Sequence, residues 1–300
     1  QTFGISLDNT RTKGKIHGKL EGNQTLDGVW KKIVGKGNDN IHVYGGRMEG
    51  LKMLHKVKSQ KDYGSTRDIL MENTSFLSAY LKFGCIGAKE VYLYMCKHLG
   101  KQHPLVRQLV WRDFYSQLLY HNPQLLTKSL SLKEKYDNIK WKNSRKLFNA
   151  WKKGETGFPI VDAGMRQLNT TGYMHNRARL ICASFLIKNL HIDWRWGEKY
   201  FATQLIDYDP ASNNGNWQWV SGSGADSAPY FRIFSPYAQQ EKFDRDALYI
   251  KHWIPELSDL DSKTIHNWSK EHSNYSGYPG PIIDYVESRK ITLDMYGKIM

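Results

Sequence analysis

Apolar residues recur at helical spacing along most of this chain. In GGRMEGLKMLHKV, Met48, Leu51, Leu54 and Val57 fall three residues apart, the period of one helix face. Behind Pro104, a residue suited to a helix start, come Val106, Val110, Phe114 and Leu118 at steps of four. Pro159 likewise opens a helix through Met165 and Leu168 that Gly172 stops. MHNRARLICASFLIKNL follows, then WRWGEKYFATQLI with Phe201 and Leu205 on one face. Strand-like alternation is nearly absent, and no internal repeat is visible. Residues 1–44 have no sustained period and are rich in Gly, Asn and Lys, so they read as an interdomain linker or extended arm. The pattern predicts an all-α fold, with one large helical domain over 45–300.

One segment breaks the helical texture. DYDPASNNGNWQWVSGSGADSAPYFRIFSP is rich in Asn, Gly, Ser and Trp and reads as a long polar loop between two helical regions. Ordered loops of that length commonly line sites. The plainer alternative is a loop whose Trp217 and Trp219 plug the core.

Charge adds a partner class. Forty-three Lys and Arg against 29 Asp and Glu give a net +14, and the excess is spread along the chain rather than gathered in one tail. Solubility alone would explain it; so would a polyanion such as nucleic acid. Ten Trp and 18 Tyr suit base stacking as well as a large core. Cys85, Cys96 and Cys182 form no CxxC pair, which argues against a disulfide framework and a structural zinc site and for a reducing, intracellular compartment, nucleus or cytoplasm. No metal is expected. The longest apolar stretch, Leu180 to Ile187, spans eight residues, far short of the roughly 18 of a membrane span. Opening at Gln1, the chain reads as a trimmed or processed piece.

Within this frame, GETGFPIVDAGMRQLNTTGYMHNRARLICASFLIKNLHIDWRWGEKYF, then DYDPASNNGNWQW and APYFRIFSP, resembles the photolyase/cryptochrome flavoprotein family. The likeness covers the family's helical FAD-binding region, here about 45–300, and is greatest to the class I photolyases that repair cyclobutane pyrimidine dimers. The resemblance implies FAD as cofactor, UV-damaged DNA as partner and a light-driven lyase reaction. It also implies a missing N-terminal antenna domain, so no antenna chromophore is expected on this chain, although a separate domain or chain could supply one. A monomer is expected.

The family's flavin contacts fall here on Tyr63, on Thr74, Ser75, Phe76, Leu77 and Ser78, and on Arg112, Arg179, Asp207, Tyr208, Asp209 and Asn213. Ser and Thr hydroxyls with free N–H groups at a helix start suit phosphate, yet TSFLS alone could be an ordinary cap. Some relatives carry a basic residue at the place of Phe76. Arg179 is the expected partner of Asp207, since a partly buried Asp needs one. Asn213 takes the place beside flavin N5, where photolyases generally have Asn. Three residues fall on the family's electron-transfer chain: Trp217 next to the flavin, then Trp194, then Trp141 near the surface. Taken singly, each would more often be a core Trp; Trp151 and Trp196 are read as packing residues.

The resemblance implies a pocket for a flipped-out dinucleotide, a mode for which photolyases are a standing example. Trp111 and Trp219 take the stacking positions, Gln108, Asn176 and Arg177 the polar contacts, and Leu180 a place often held by Met. Arg67, Arg232 and Gln239 resemble residues near the DNA backbone, though solvated salt bridges would equally account for Arg67 and Arg232. Cyclobutane-dimer enzymes commonly have Glu at Gln108, whereas (6-4) photolyases have Gln. The latter also have His at the positions of Asn176 and Leu180, which favours cyclobutane-dimer repair here, with His175 structural. The alternatives are a cryptochrome-like blue-light photoreceptor and a truncated, non-repairing DNA-binding remnant.

Overall fold

The computed structural model describes residues 38–227 and 229–299, and every regular element among them is helical. Eleven helices have six or more residues. In chain order they are α1 (Arg47–Lys56), α2 (Ala88–Leu99), α3 (Pro104–His121), α4 (Arg145–Lys153), α5 (Pro159–Thr171) and α6 (Asn176–Lys188). There follow α7 (Trp194–Gln204), α8 (Pro210–Ser221), α9 (Pro236–Phe243), α10 (Leu248–Trp253) and α11 (Tyr285–Gly297). The expected linker lies mostly on residues 1–37, outside the described residues. The compact unit runs from Asn40: Val43 packs against the apolar cluster around Leu54 and Tyr80, and the Tyr44 carbonyl accepts from the Tyr80 hydroxyl.

Helix ends follow local chemistry. Pro stands in the first turn of α3, α5, α8 and α9, where its missing N–H costs nothing. Side chains of His103, Ser144, His175, Asp193, Asp209, Ser235 and Asp284 each accept from a first-turn N–H, as capping requires. Gly172 closes α5 at φ 67°, a left-handed conformation that suits glycine.

The segment expected to be one long loop is corrected by α8. Asp209 caps it, Pro210 occupies its first turn and Gly222 ends it in the left-handed region, so among the described residues only 207–209, 222–227 and 229–235 are irregular. The stripe expected on α3 is corrected in part. Val106 is buried, but Val110 and Phe114 are exposed, because each step of four residues turns 40° further round a 3.6-residue helix.

α5 and α6 form the centre. Every residue from Ile181 to Lys188 is buried, so α6 has no solvent face at its C-terminal end. α4, α6 and α10 pack on α5, while α8 packs on α3, α6 and α7. A second apolar cluster joins Leu54, Val57, Leu77, Tyr80, Val91, Met95 and Val106 beside it. The C-terminal residues close the fold. The Tyr278 hydroxyl donates to buried Asp162, which also accepts from the Thr156 and Gly157 N–H groups. α11 is tied to the end of α6 through Asn189 to Ser288 and His191 to the Ser288 carbonyl. No helix among the described residues is long and apolar enough to cross a membrane.

Candidate functional site

α3, α6, α8, the short helix Ser78–Lys82 and part of 222–235 enclose a cavity of about 800 Å³, within the roughly 300–1,000 Å³ of small-molecule and cofactor sites. Helical spacing sets its lining. His175 caps α6 and so puts Asn176, Arg179 and Leu180 on one face of the first two turns. On α3, Gln108, Trp111, Arg112 and Tyr115 share a face; on α8, Ser212, Asn216 and Trp219 do. Gly215 lets these two helices close, since a Cβ there would stand 2.3 Å from the Tyr115 ring. Arg67, Ser75, Leu77, Ser78, Asp207, Asp209 and Arg232 complete the expected residues in this lining.

Asp207 is the electrostatic centre. It is buried, and its Oδ2 accepts from Arg179 Nη2 at 2.9 Å and from Ser78 Oγ at 2.7 Å. Its Oδ1 is buried with no hydrogen-bond partner. A carboxylate so placed keeps one acceptor for a donor that the protein does not supply. Asp209 stands 4.0 Å from Lys82 Nζ while capping α8. Gln108 Nε2 donates back to the Pro104 carbonyl of its own helix. Trp111 is 43% exposed at the cavity rim, perpendicular to Phe114 at 5.6 Å and tilted against Tyr115 at 6.3 Å.

A smaller cavity shares Asn176, Arg179, Leu180, Asp207 and Asp209 and adds Tyr208, Asn213 and Trp217. Asn213 Nδ2 donates to both the Glu198 carbonyl and its carboxylate, at 3.1 and 2.9 Å. Burial pushes the Glu198 carboxyl up from its ordinary value. Trp217 is buried, edge-on to Phe201 at 5.0 Å and to Trp151 at 6.4 Å. Trp194 is buried in the same core and lines a third cavity with Trp196 and Glu198. Half-buried Trp141 meets Tyr296 edge-on at 6.2 Å.

The remaining expected residues lie outside the large cavity. Thr74 and Phe76 border a separate one, and Phe76 packs against Tyr173 and His42. Tyr63 packs beside His103. Arg177 is ion-paired with Asp68 at 2.8 Å and lies over the Phe243 ring. Gln239 is half-buried on α9. Ser212, Asn216, Tyr115, Lys82 and Glu198 were not expected. Ser212 and Asn216 would have followed from reading 210–221 as a helix capped by Asp209.

Known proteins decide the family. The profile described as the FAD binding domain of DNA photolyase matches residues 105–298. The chain belongs to this family. It is 45% identical over 244 residues to the deoxyribodipyrimidine photo-lyase of Vibrio cholerae, covering 79% of this chain and 52% of the relative. To that of Escherichia coli it is 43% identical over 250 residues, covering 78% and 52%. Among solved structures, an archaeal photolyase from Sulfolobus tokodaii with two FAD molecules superposes with a TM-score of 0.76 at 46% identity, over 85% of this chain and 56% of that one. A Synechocystis cryptochrome gives 0.75 at 33% identity, over 86% and 57%. The chain spans about half the length of the curated relatives it matches.

FAD is the cofactor by which this photolyase family is described, and the large cavity suits it. The Ser75 hydroxyl, with Arg112 and Arg179, supplies donors of the kind a diphosphate and ribityl chain require. The spare Asp207 oxygen is an acceptor of the kind a ring N–H requires.

Proposed function

We propose that this chain holds FAD in the large cavity and uses it to repair cyclobutane pyrimidine dimers in DNA under blue light. The observation that carries the reading is that one cavity is lined both by the flavin-type set (Ser75, Ser78, Arg179, Asp207) and by the stacking and edge-binding set (Trp111, Trp219, Asn176, Gln108). When bound, the flavin supplies light absorption and one-electron transfer to the dimer; the protein supplies position, exclusion of water and electrostatics. Trp111 and Trp219 stack on the flipped bases while Asn176 and Gln108 meet their polar edges. Arg179 holds the Asp207 carboxylate in place, and Glu198 fixes the Asn213 amide through its Nδ2. Trp217, Trp194 and Trp141 relay electrons inward to restore the reduced cofactor. Arg67 and Arg232 neutralise DNA phosphates, whereas Arg177 must leave Asp68 to do so. The chain acts as an intracellular monomer.

The deciding experiment is blue-light repair of a dimer-containing oligothymidylate by the purified, reduced protein, with bound flavin checked first. Intact thymines recovered in light and not in darkness are expected. Flavin bound without recovery would point to a (6-4) substrate or a photoreceptor; neither flavin nor recovery would indicate a remnant.

A further inference from the structure

Residues 74–78 form a wall between two cavities. Ser75, Leu77 and Ser78 line the large one, while Thr74 and Phe76, with Ser75 again, border a second of about 380 Å³ behind them. Phe76 turns the wall at φ 51°, a left-handed conformation that a bulky side chain keeps only where its surroundings impose it. Two rings impose it here. His42 meets Phe76 edge-on at 4.6 Å and stacks on Tyr173 at 5.3 Å with 18° between the planes; Tyr173 meets Phe76 edge-on at 5.2 Å. The three rings close a triangle. Burial pushes the His42 imidazole down from its ordinary value, so the neutral ring is the one in the stack. Tyr173 is itself fixed: its N–H donates to the Thr171 hydroxyl at 3.1 Å, and its own hydroxyl is hydrogen-bonded to that of Thr74 at 3.3 Å. The Arg179 guanidinium lies over its ring at 5.4 Å. Since Arg179 and Ser78 both donate to Asp207, the triangle reaches that carboxylate from both ends of the wall.

We propose that His42 is a positioning residue for the flavin: set against Phe76 and Tyr173, its ring holds residues 74–78 in the shape that turns Ser75 toward the cofactor and keeps Ser78 on Asp207. This rests on the reading that the flavin occupies the large cavity. Without the imidazole, Phe76 loses one of the two rings that oppose its return to an ordinary backbone conformation, and the cavity behind the wall gives it room to move. A change of φ at Phe76 redirects the chain on either side of it, so Ser75 and Ser78 turn relative to each other and the cofactor side of the wall loses its form. His42 does not line the large cavity itself, so its hold on the cofactor passes through the wall. Simple packing by His42 would instead support the fold without regard to the conformation of Phe76.

The test is the rate at which the flavin-loaded chain releases FAD, followed by the fluorescence of the freed flavin, beside the melting temperature of the flavin-free chain. His42→Ala should release FAD about tenfold faster, the effect of one unsupported backbone strain, with flavin-free melting little changed. His42→Phe, which restores a flat ring, should return the parent rate. In a Phe76→Gly background, where the left-handed turn needs no support, His42→Ala should change the rate little. An unchanged rate in His42→Ala overturns the proposal, as does equal loss in His42→Phe or a full effect in the Phe76→Gly background. Should His42→Ala fail to fold, His42→Leu, which fills the space without a flat ring, takes its place with the same expected result. Should the parent chain bind no FAD, the reading of the large cavity fails, and chymotryptic cleavage after Phe76 in the flavin-free chain decides. His42→Ala should then be cut there faster than the parent, and equal rates overturn the proposal.

Discussion

At the scale of single residues, burial decides which side chains govern behaviour. His175 is 4% exposed, and burial pushes its imidazole down to about 4 from 6.5. The folded chain thus holds this histidine neutral where the unfolded chain would protonate it. Stability from this site is complete above pH 6.5, falls by up to about 1.4 kcal/mol per pH unit below that, and levels off near pH 4. His175→Asn keeps a cap for α6 without a titrating group, so the urea midpoint of the variant should fall less between pH 7 and pH 5 than that of the parent. Arg179→Met strands the Asp207 carboxylate in the cavity wall. Because the Arg179 side chain is 26% exposed, a loss of about 2–4 kcal/mol is expected, seen as a lowered melting temperature together with loss of flavin retention. Asp207 and Arg179 were legible as a pair through the family likeness. Arg177 was not: its nearest charge, Asp68, comes from a distant stretch with no periodic relation to it.

At the scale of elements, helix type and order were legible because apolar spacing marks α5 and α7 and a proline opens α5. α8 was misjudged since its Asn, Gly and Ser content resembles a loop, although Asp209-Pro210 and Gly222 are ordinary start and stop signals. Close packing accounts for Gly215 on α8, and the same holds for Gly197 on α7, which packs against α8: a Cβ there would stand 2.2 Å from the Trp217 ring and 2.5 Å from Leu186. Alanine normally improves a helix interior over glycine by about 0.5–1 kcal/mol. Here Gly197→Ala should reverse that sign and destabilise by about 1–3 kcal/mol through overpacking. Gly297→Ala, with nothing within 4 Å of its Cβ, is the control and should be neutral or slightly stabilising. Thermal melting of the two variants makes the comparison.

For the whole molecule, the net charge of +14 makes any DNA affinity steeply salt-dependent. Exposed Arg232 at the cavity rim should contribute one phosphate contact. Arg232→Ala would then reduce the slope of log affinity against log salt by about 1, as measured by titration of labelled duplex; an unchanged slope would assign Arg232 elsewhere. The cavity was legible only through the family likeness, because its walls come from segments more than a hundred positions apart, such as Ser78 and Asp207.

That separation bears on how the chain is made. The Tyr278 hydroxyl closes on Asp162 across 116 positions, and Tyr296 reaches Ser221 across 75. Synthesis proceeds from the N-terminus, so α5 and α6 emerge well before the residues that seal them. Until Tyr278 appears, a carboxylate buried at the start of α5 lacks one of its donors, and the far end of α6 stays open to water. A ribosome-bound chain stopped short of Tyr278 should therefore be cut readily by protease, and resistance should arrive abruptly once α11 is out.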